Sequence, residues 1–156
     1  MSERHHRFSV AGRELVLFQR RGESYSHVLL KALGFALFLP HYPNLEIEPE
    51  LGLRYTPDLL SRPQRPRSPH HFRLWGECGN TSAVKAHYVC AHYDAEQVAI
   101  LHVGGVERLL LELEGAIPYR HRHNRLFVVS FALDIEARIS PDNLVLKEGW
   151  YQFYGF

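Results

Sequence analysis

Two acids and one lysine carry the most suggestive chemistry in the sequence. Asp58 sits in YTPDLL (residues 55–60) and Glu77 in FRLWGECG (residues 72–79), each an apolar, strand-like run with an acid near one end. If the two runs pair as antiparallel neighbours, their carboxylates stand side by side at a sheet end. Two such carboxylates make a hard-oxygen site suited to Mg²⁺ or Mn²⁺, and the backbone C=O of Cys78 offers a third oxygen. Lys85 opens the next helical pattern and can point back toward the same place. There a lysine positions or deprotonates a water, or stabilises charge on a phosphate. Taken singly these are ordinary features, since a lone Pro-Asp and a glutamate at a strand end are both common. Their order along the chain is what singles them out. Lys85 is also one of only three lysines among 18 basic side chains.

The formal net charge is +1, which announces no nucleic-acid binder in bulk. The distribution is more telling. Between Leu59 and Gly76 there is no acid, but there are Arg62, Arg65, Arg67 and Arg73. A second cluster holds Arg120, His121, Arg122, His123 and Arg125. These are either solvated loops or phosphate-contacting ones, the partner then being nucleic acid. His87, Cys90 and His92 do not share one helix face, which argues against zinc. The nucleotide-binding and hydrolase signatures G-x-x-x-x-G-K-S/T, G-x-G-x-x-G and G-x-S-x-G are missing. Two cysteines, Cys78 and Cys90, are too few for a disulfide scaffold and read as small core residues of a reducing compartment. MSERHHRFSV has no apolar run of the signal-peptide kind, and no 18-residue apolar stretch exists. A cytoplasmic protein without a membrane partner is the expectation. The oligomeric state is left open, although the aromatic tail WYQFYGF (residues 150–156) suits an edge strand or a subunit contact.

The elements that must position these groups follow from periodicity. Residues 8–11 and 14–19 predict a β-hairpin turning at Gly12-Arg13. Residues 24–39, SYSHVLLKALGFALFL, predict a largely buried helix with Ser24 as N-cap and Pro40 beyond its end. Glu23, His27 and Lys31 lie four apart and so form one line on it, read as a solvent-facing stripe. Strands are predicted at residues 44–48, 53–60 and 72–78, with the Pro/Arg-rich segment 61–71 as a long exposed loop. A helix capped by Thr81 or Ser82 runs to about His92. A strand at 97–103, a helix at 106–114 and a strand at 126–132 follow, then two more strands within 134–156. The whole is one domain, residues 1–156. Its fold class is α/β (α+β), with an N-terminal β-hairpin and a mixed sheet carrying helices on its faces.

A Pro-Asp on one strand, then an acid two residues before a Lys on the next strand, then a helix, is the signature of the PD-(D/E)XK nuclease superfamily, which the order Pro57-Asp58, Glu77 and the helix from Ser82 resembles. The stretches ESYSHVLLKALGFAL, LWGECG and VKAHYVCAHY are most similar to the YaeQ family, and the resemblance covers roughly residues 8–103. It implies a restriction-endonuclease-like central mixed sheet flanked by helices. It further implies a metal-dependent nuclease in which Asp58 and Glu77 are metal ligands and Glu23 is the candidate for an extra acid on the first helix. The position of the superfamily lysine holds Gly79, so Lys85 takes that role from the helix. The other reading is a nuclease-like fold without catalysis that binds nucleic acid or protein.

Overall fold

The computed structural model describes residues 4–156. The chain opens with an antiparallel hairpin, β1 (Arg4–Val10) and β2 (Arg13–Gln19). Its turn is Ala11-Gly12, with φ of 51° and 78°, one residue earlier than the predicted Gly12-Arg13. Two consecutive positive φ values are what a tight two-residue hairpin turn requires. Helix α1 (Tyr25–Phe38) follows, and the Ser24 hydroxyl caps it by accepting the His27 N–H.

A six-stranded mixed sheet forms the body of the molecule. It comprises β3 (Glu46–Ile47), β4 (Leu59–Ser61), β5 (His71–Cys78), β6 (Asp94–Val103), β7 (Leu126–Phe131) and β8 (Tyr151–Gly155), side by side in that order. The central strands β5, β6 and β7 are parallel, while β3, β4 and β8 are antiparallel to their neighbours. Parallel neighbours need crossovers. These are α2 (Ala83–His92) between β5 and β6, and α3 (Glu107–Ala116) with the short α4 (Tyr119–Arg122) between β6 and β7.

Apolar residues pack on both faces of the sheet. On one face α1 and the hairpin bury Phe8, Val28, Leu33 and Phe35 against Leu59, Leu74 and Leu101. On the other, α2 and α3 bury Ala86, Val89 and Leu113 against Leu60, Trp75 and Val98. Helix α1 is apolar around most of its circumference because it lies between the hairpin and the sheet and has little face left for water. Gly34 fixes how closely it approaches. A Cβ there would stand 2.5 Å from both Leu101 Cδ2 and Leu59 Cδ1. This close seating sets the polar row of α1 beside the end of β4.

Two predicted elements differ. The strand expected over residues 53–60 is only β4, three residues long, because Gly52 and Pro57 keep the preceding chain irregular. The 134–156 segment yields one strand rather than two. Its first half forms α5 (Ile135–Arg138) and a 3₁₀ turn (Pro141–Asn143), and the Leu144 N–H then ties the chain to the Ser9 carbonyl of the hairpin. Among the described residues no helix is long and apolar enough to cross a membrane.

Candidate functional site

The β4–β5 register pairs Leu59 with Gly76, so Asp58 stands across from Glu77 at the strand end. The Asp58 backbone is held on both sides, its N–H donating to the Gly76 carbonyl and its C=O accepting the Glu48 N–H. Its side chain closes over the end of β5, where Asp58 Oδ2 accepts the Cys78 N–H at 2.7 Å. The Cys78 backbone thus meets Asp58 through its N–H. The Cys78 thiol itself points into the core, and burial pushes its pKa well up.

Glu77 shares the Trp75 face of β5 and is only 2% exposed. Neither of its carboxylate oxygens has a hydrogen bond of good geometry. The Lys85 ammonium meets Oε2 at 2.5 Å, as an ion pair. Burial first, and the neighbouring Asp58 charge second, raise the Glu77 pKa from its ordinary 4.5 to about 7, with Lys85 opposing both. Gly79 makes the Lys85 approach possible. Its φ of +82° turns the chain sharply after β5, and the Ser82 hydroxyl then starts α2 by accepting the Lys85 N–H. Side chains in a first helical turn lean back toward the N-terminus, which carries Lys85 over the end of β5.

The row on α1 joins this pair. His27 stands between two acids, with Nδ1 2.5 Å from Glu23 Oε2 and Nε2 3.4 Å from Asp58 Oδ1. Both ring nitrogens face carboxylates, which suits the doubly protonated imidazolium, and its contact with Asp58 raises its pKa against the effect of burial. Lys31 is 1% exposed and reaches Glu23 at 2.7 Å and Glu48 at 2.5 Å. Burial works against its charge, but these two carboxylates outweigh burial and keep its pKa raised. Arg20 lies 3.3 Å from the far oxygen of Glu48. A chain of alternating charge thus runs Arg20, Glu48, Lys31, Glu23, His27, Asp58, and ends on the Glu77–Lys85 pair. Glu23, His27 and Lys31 are not the solvent-facing stripe that their spacing suggested. They form a largely enclosed row whose lysine is buried against two acids. Grooves of about 530 Å³ and 450 Å³ flank this row, one bordered by Arg20, Lys31 and Glu48, the other by Glu23, His27, Gly79 and His102.

The sequence missed Glu48 and the bridging role of His27. The signal for the row was a lysine inside an otherwise apolar helix. Nothing local marked Glu48, which meets Lys31 only through the tertiary fold.

The basic loops lie elsewhere. Segment 62–70 leaves β4 after Ser61 and re-enters the sheet at His71, so it sits at the end of β5 opposite Glu77. Six residues of strand separate the two ends, roughly 20 Å. Arg62 pairs with Glu46, and Arg67 forks onto both oxygens of Asp94. Arg73 packs over the Tyr42 ring at 4.9 Å, while Arg65 is exposed. In the second cluster Arg125 donates to the carbonyls of Cys90, Tyr93, Ala95 and His121, and Arg122 to that of Ile117. These two arginines tie the chain together where α2, α4 and β7 meet. Neither basic loop adjoins the acid pair.

Asp58, Glu77 and Lys85 are thus brought together, with Glu23 one imidazole away. Among the described residues no group of three or more His, Cys, Asp and Glu side chains is arranged to hold a metal ion. The two carboxylates are a donor set of the kind Mg²⁺ accepts, with water and substrate oxygens completing its shell.

No family model matches the sequence, and no curated protein matches it. Solved structures do. The chain is similar to the YaeQ protein from Xanthomonas axonopodis pv. citri, with a TM-score of 0.65 and 20% identity over 98% of this chain and 90% of that one. It is similar to the YaeQ protein from Pseudomonas syringae, with a TM-score of 0.66 and 13% identity over 99% of this chain and 88% of that one. Over nearly its whole length, this chain has the fold of the YaeQ proteins.

Proposed function

We propose that the Asp58–Glu77 pair is the divalent-metal site of a phosphodiesterase acting on nucleic acid, DNA being the expected substrate. One observation carries this reading. Glu77 is buried beside Asp58 with only the partly exposed Lys85 ammonium on Oε2, and that one cation leaves its pKa raised to about 7, so two adjacent carboxylates share too little positive charge, which a divalent cation would supply. The order of these residues, which resembles the PD-(D/E)XK pattern, supports it.

Asp58 and Glu77 would hold Mg²⁺ or Mn²⁺, with the Cys78 carbonyl as a third oxygen. Bound there, the ion supplies a Lewis acid for a phosphoryl oxygen and a water of lowered pKa. The protein's own groups have separate tasks. The Cys78 N–H orients Asp58, leaving Oδ1 toward His27. Lys85, 26% exposed on a long stem, can leave Glu77 and stabilise charge on the phosphate or hold the attacking water. Glu23 acts through His27, which it keeps oriented and charged beside Asp58.

The second reading is a binding module without catalysis. It is favoured by the internal charge balance, since each acid of the row already faces a cation. Incubating labelled DNA and RNA oligonucleotides with the protein in Mn²⁺, Mg²⁺ or EDTA separates the two. The nuclease reading expects metal-dependent cleavage that Asp58→Asn, Glu77→Gln and Lys85→Ala each abolish. Cleavage that persists in Asp58→Asn refutes the site. Binding with no cleavage in either metal leaves the binding module.

A further inference from the structure

The face of α2 that runs away from Lys85 carries a ladder of cations and rings that the acid pair does not use. From Glu77 the contacts lead to Lys85, whose ammonium lies 5.4 Å from the centroid of the Tyr55 ring. The Arg54 guanidinium lies 5.6 Å from the same ring and 5.0 Å from that of Tyr88. Tyr55 and Tyr88 meet edge to face at 5.4 Å. His92 stacks on Tyr88 at 4.1 Å with planes 18° apart, and a hydrogen bond between its Nδ1 and the Tyr88 carbonyl fixes the imidazole. Arg54 and His92 are exposed. Neither α2 nor residues 51–57 contain an acid, and among the described residues no carboxylate pairs with Arg54. In this Arg54 differs from Arg62 and Arg67, both of which are ion-paired. An unneutralised guanidinium held by two rings, one of which also touches Lys85, is preorganised for an anion beside the acid pair.

We propose that this face binds an unpaired nucleic-acid strand leading to the acid pair, with Arg54 taking a backbone phosphate and the outward face of His92, backed by Tyr88, taking a base. This rests on the nucleic-acid reading of the Asp58–Glu77 site and specifies its substrate as single-stranded. Charge complementarity selects a polyanion. The rings select an unpaired one, because base faces are available for stacking only outside a duplex. Arg62 and Arg67, two of the loop arginines that could meet a duplex backbone, are already ion-paired.

The test is fluorescence anisotropy in EDTA across a salt series, with a labelled oligothymidylate and a blunt duplex of the same length. The wild type should prefer the single strand. Arg54→Ala should weaken binding roughly tenfold and flatten the salt slope by about 0.7, one phosphate contact on a single strand. His92→Ala and Tyr88→Leu should each weaken binding roughly tenfold without changing the slope, and Tyr88→Phe should bind like the wild type. Arg54→Ala and His92→Ala binding with wild-type affinity and slope overturns the proposal, as does equal affinity for duplex and single strand, or no binding of either. Parallel incubations in Mn²⁺ keep the two readings apart. Cleavage by the wild type with undisturbed binding by the variants refutes this face alone. Strand binding through Arg54 without cleavage refutes the metal site alone.

Discussion

Replacing Glu77 with glutamine should make the protein's stability respond differently to pH. The Glu77 carboxyl titrates at about 7 in the fold and near 4.5 in the unfolded chain, because burial and then Asp58 disfavour its charge. Below 4.5 the carboxyl is neutral in both states and costs nothing. As pH rises, the unfolded chain gives up the proton first and stability falls, until above 7 the full penalty is present. Moving a carboxyl from 4.5 to about 7 corresponds to roughly 3 kcal/mol. The substituted glutamine carries no charge, so the penalty disappears, while any cost of burying its amide is independent of pH. Urea denaturation of both proteins in EDTA should therefore show the Glu77→Gln variant gaining about 3 kcal/mol relative to the wild type between pH 4 and pH 8. For a chain of this size that is a shift of roughly 10 °C in Tm. A stability difference that stays flat over this range refutes the claim that Lys85 offsets the burial of the Glu77 charge only in part, whatever its sign at any one pH.

Other substitutions probe the rest of the arrangement. Lys31→Met keeps the buried stem but removes the ammonium from Glu23 and Glu48, and should cost about 2–3 kcal/mol of unfolding free energy in denaturant melts, because the two carboxylates lose their buried cation and keep only His27 and the exposed Arg20. Gly34→Ala pushes a methyl into Leu59 and Leu101 and should cost about 1–3 kcal/mol, measured the same way. Lys85→Ala should abolish Mn²⁺-dependent cleavage while leaving Mn²⁺ affinity in calorimetry nearly intact, because the lysine is not a ligand.

The parts of the fold with strong local signals were legible. Helix α1 announced itself by its length, apolar content and Ser24 cap, and β5 to β7 with α2 by short apolar runs and the Ser82 cap. The adjacency of Asp58 and Glu77 followed from one assumption, that their strands pair antiparallel, and this register holds. Polar rows were harder to read. Glu23, His27 and Lys31 have the spacing of a solvent stripe, and the same spacing serves a row closed off by acids from other elements. Only the long-range partners Glu48 and Asp58 decide between the two. The arginine loops are ambiguous for the same reason. An exposed phosphate ligand and an Arg125 spent on four carbonyls look identical in sequence. At the C-terminus the alternation of apolar residues mimicked a strand where Pro141 and the tie of Leu144 to Ser9 impose turns.

The central claim is that Asp58 and Glu77 together hold a divalent cation. Calorimetric titration of Mn²⁺ into the wild type and into Asp58→Asn at pH 8, where Glu77 is ionised, tests it most directly. Asparagine keeps an oxygen for the Cys78 N–H, so the fold at this strand end is retained. The account predicts one saturable site in the wild type and a loss of at least tenfold in affinity in the variant. An identical titration for the two proteins, or no heat of binding in the wild type, would contradict it.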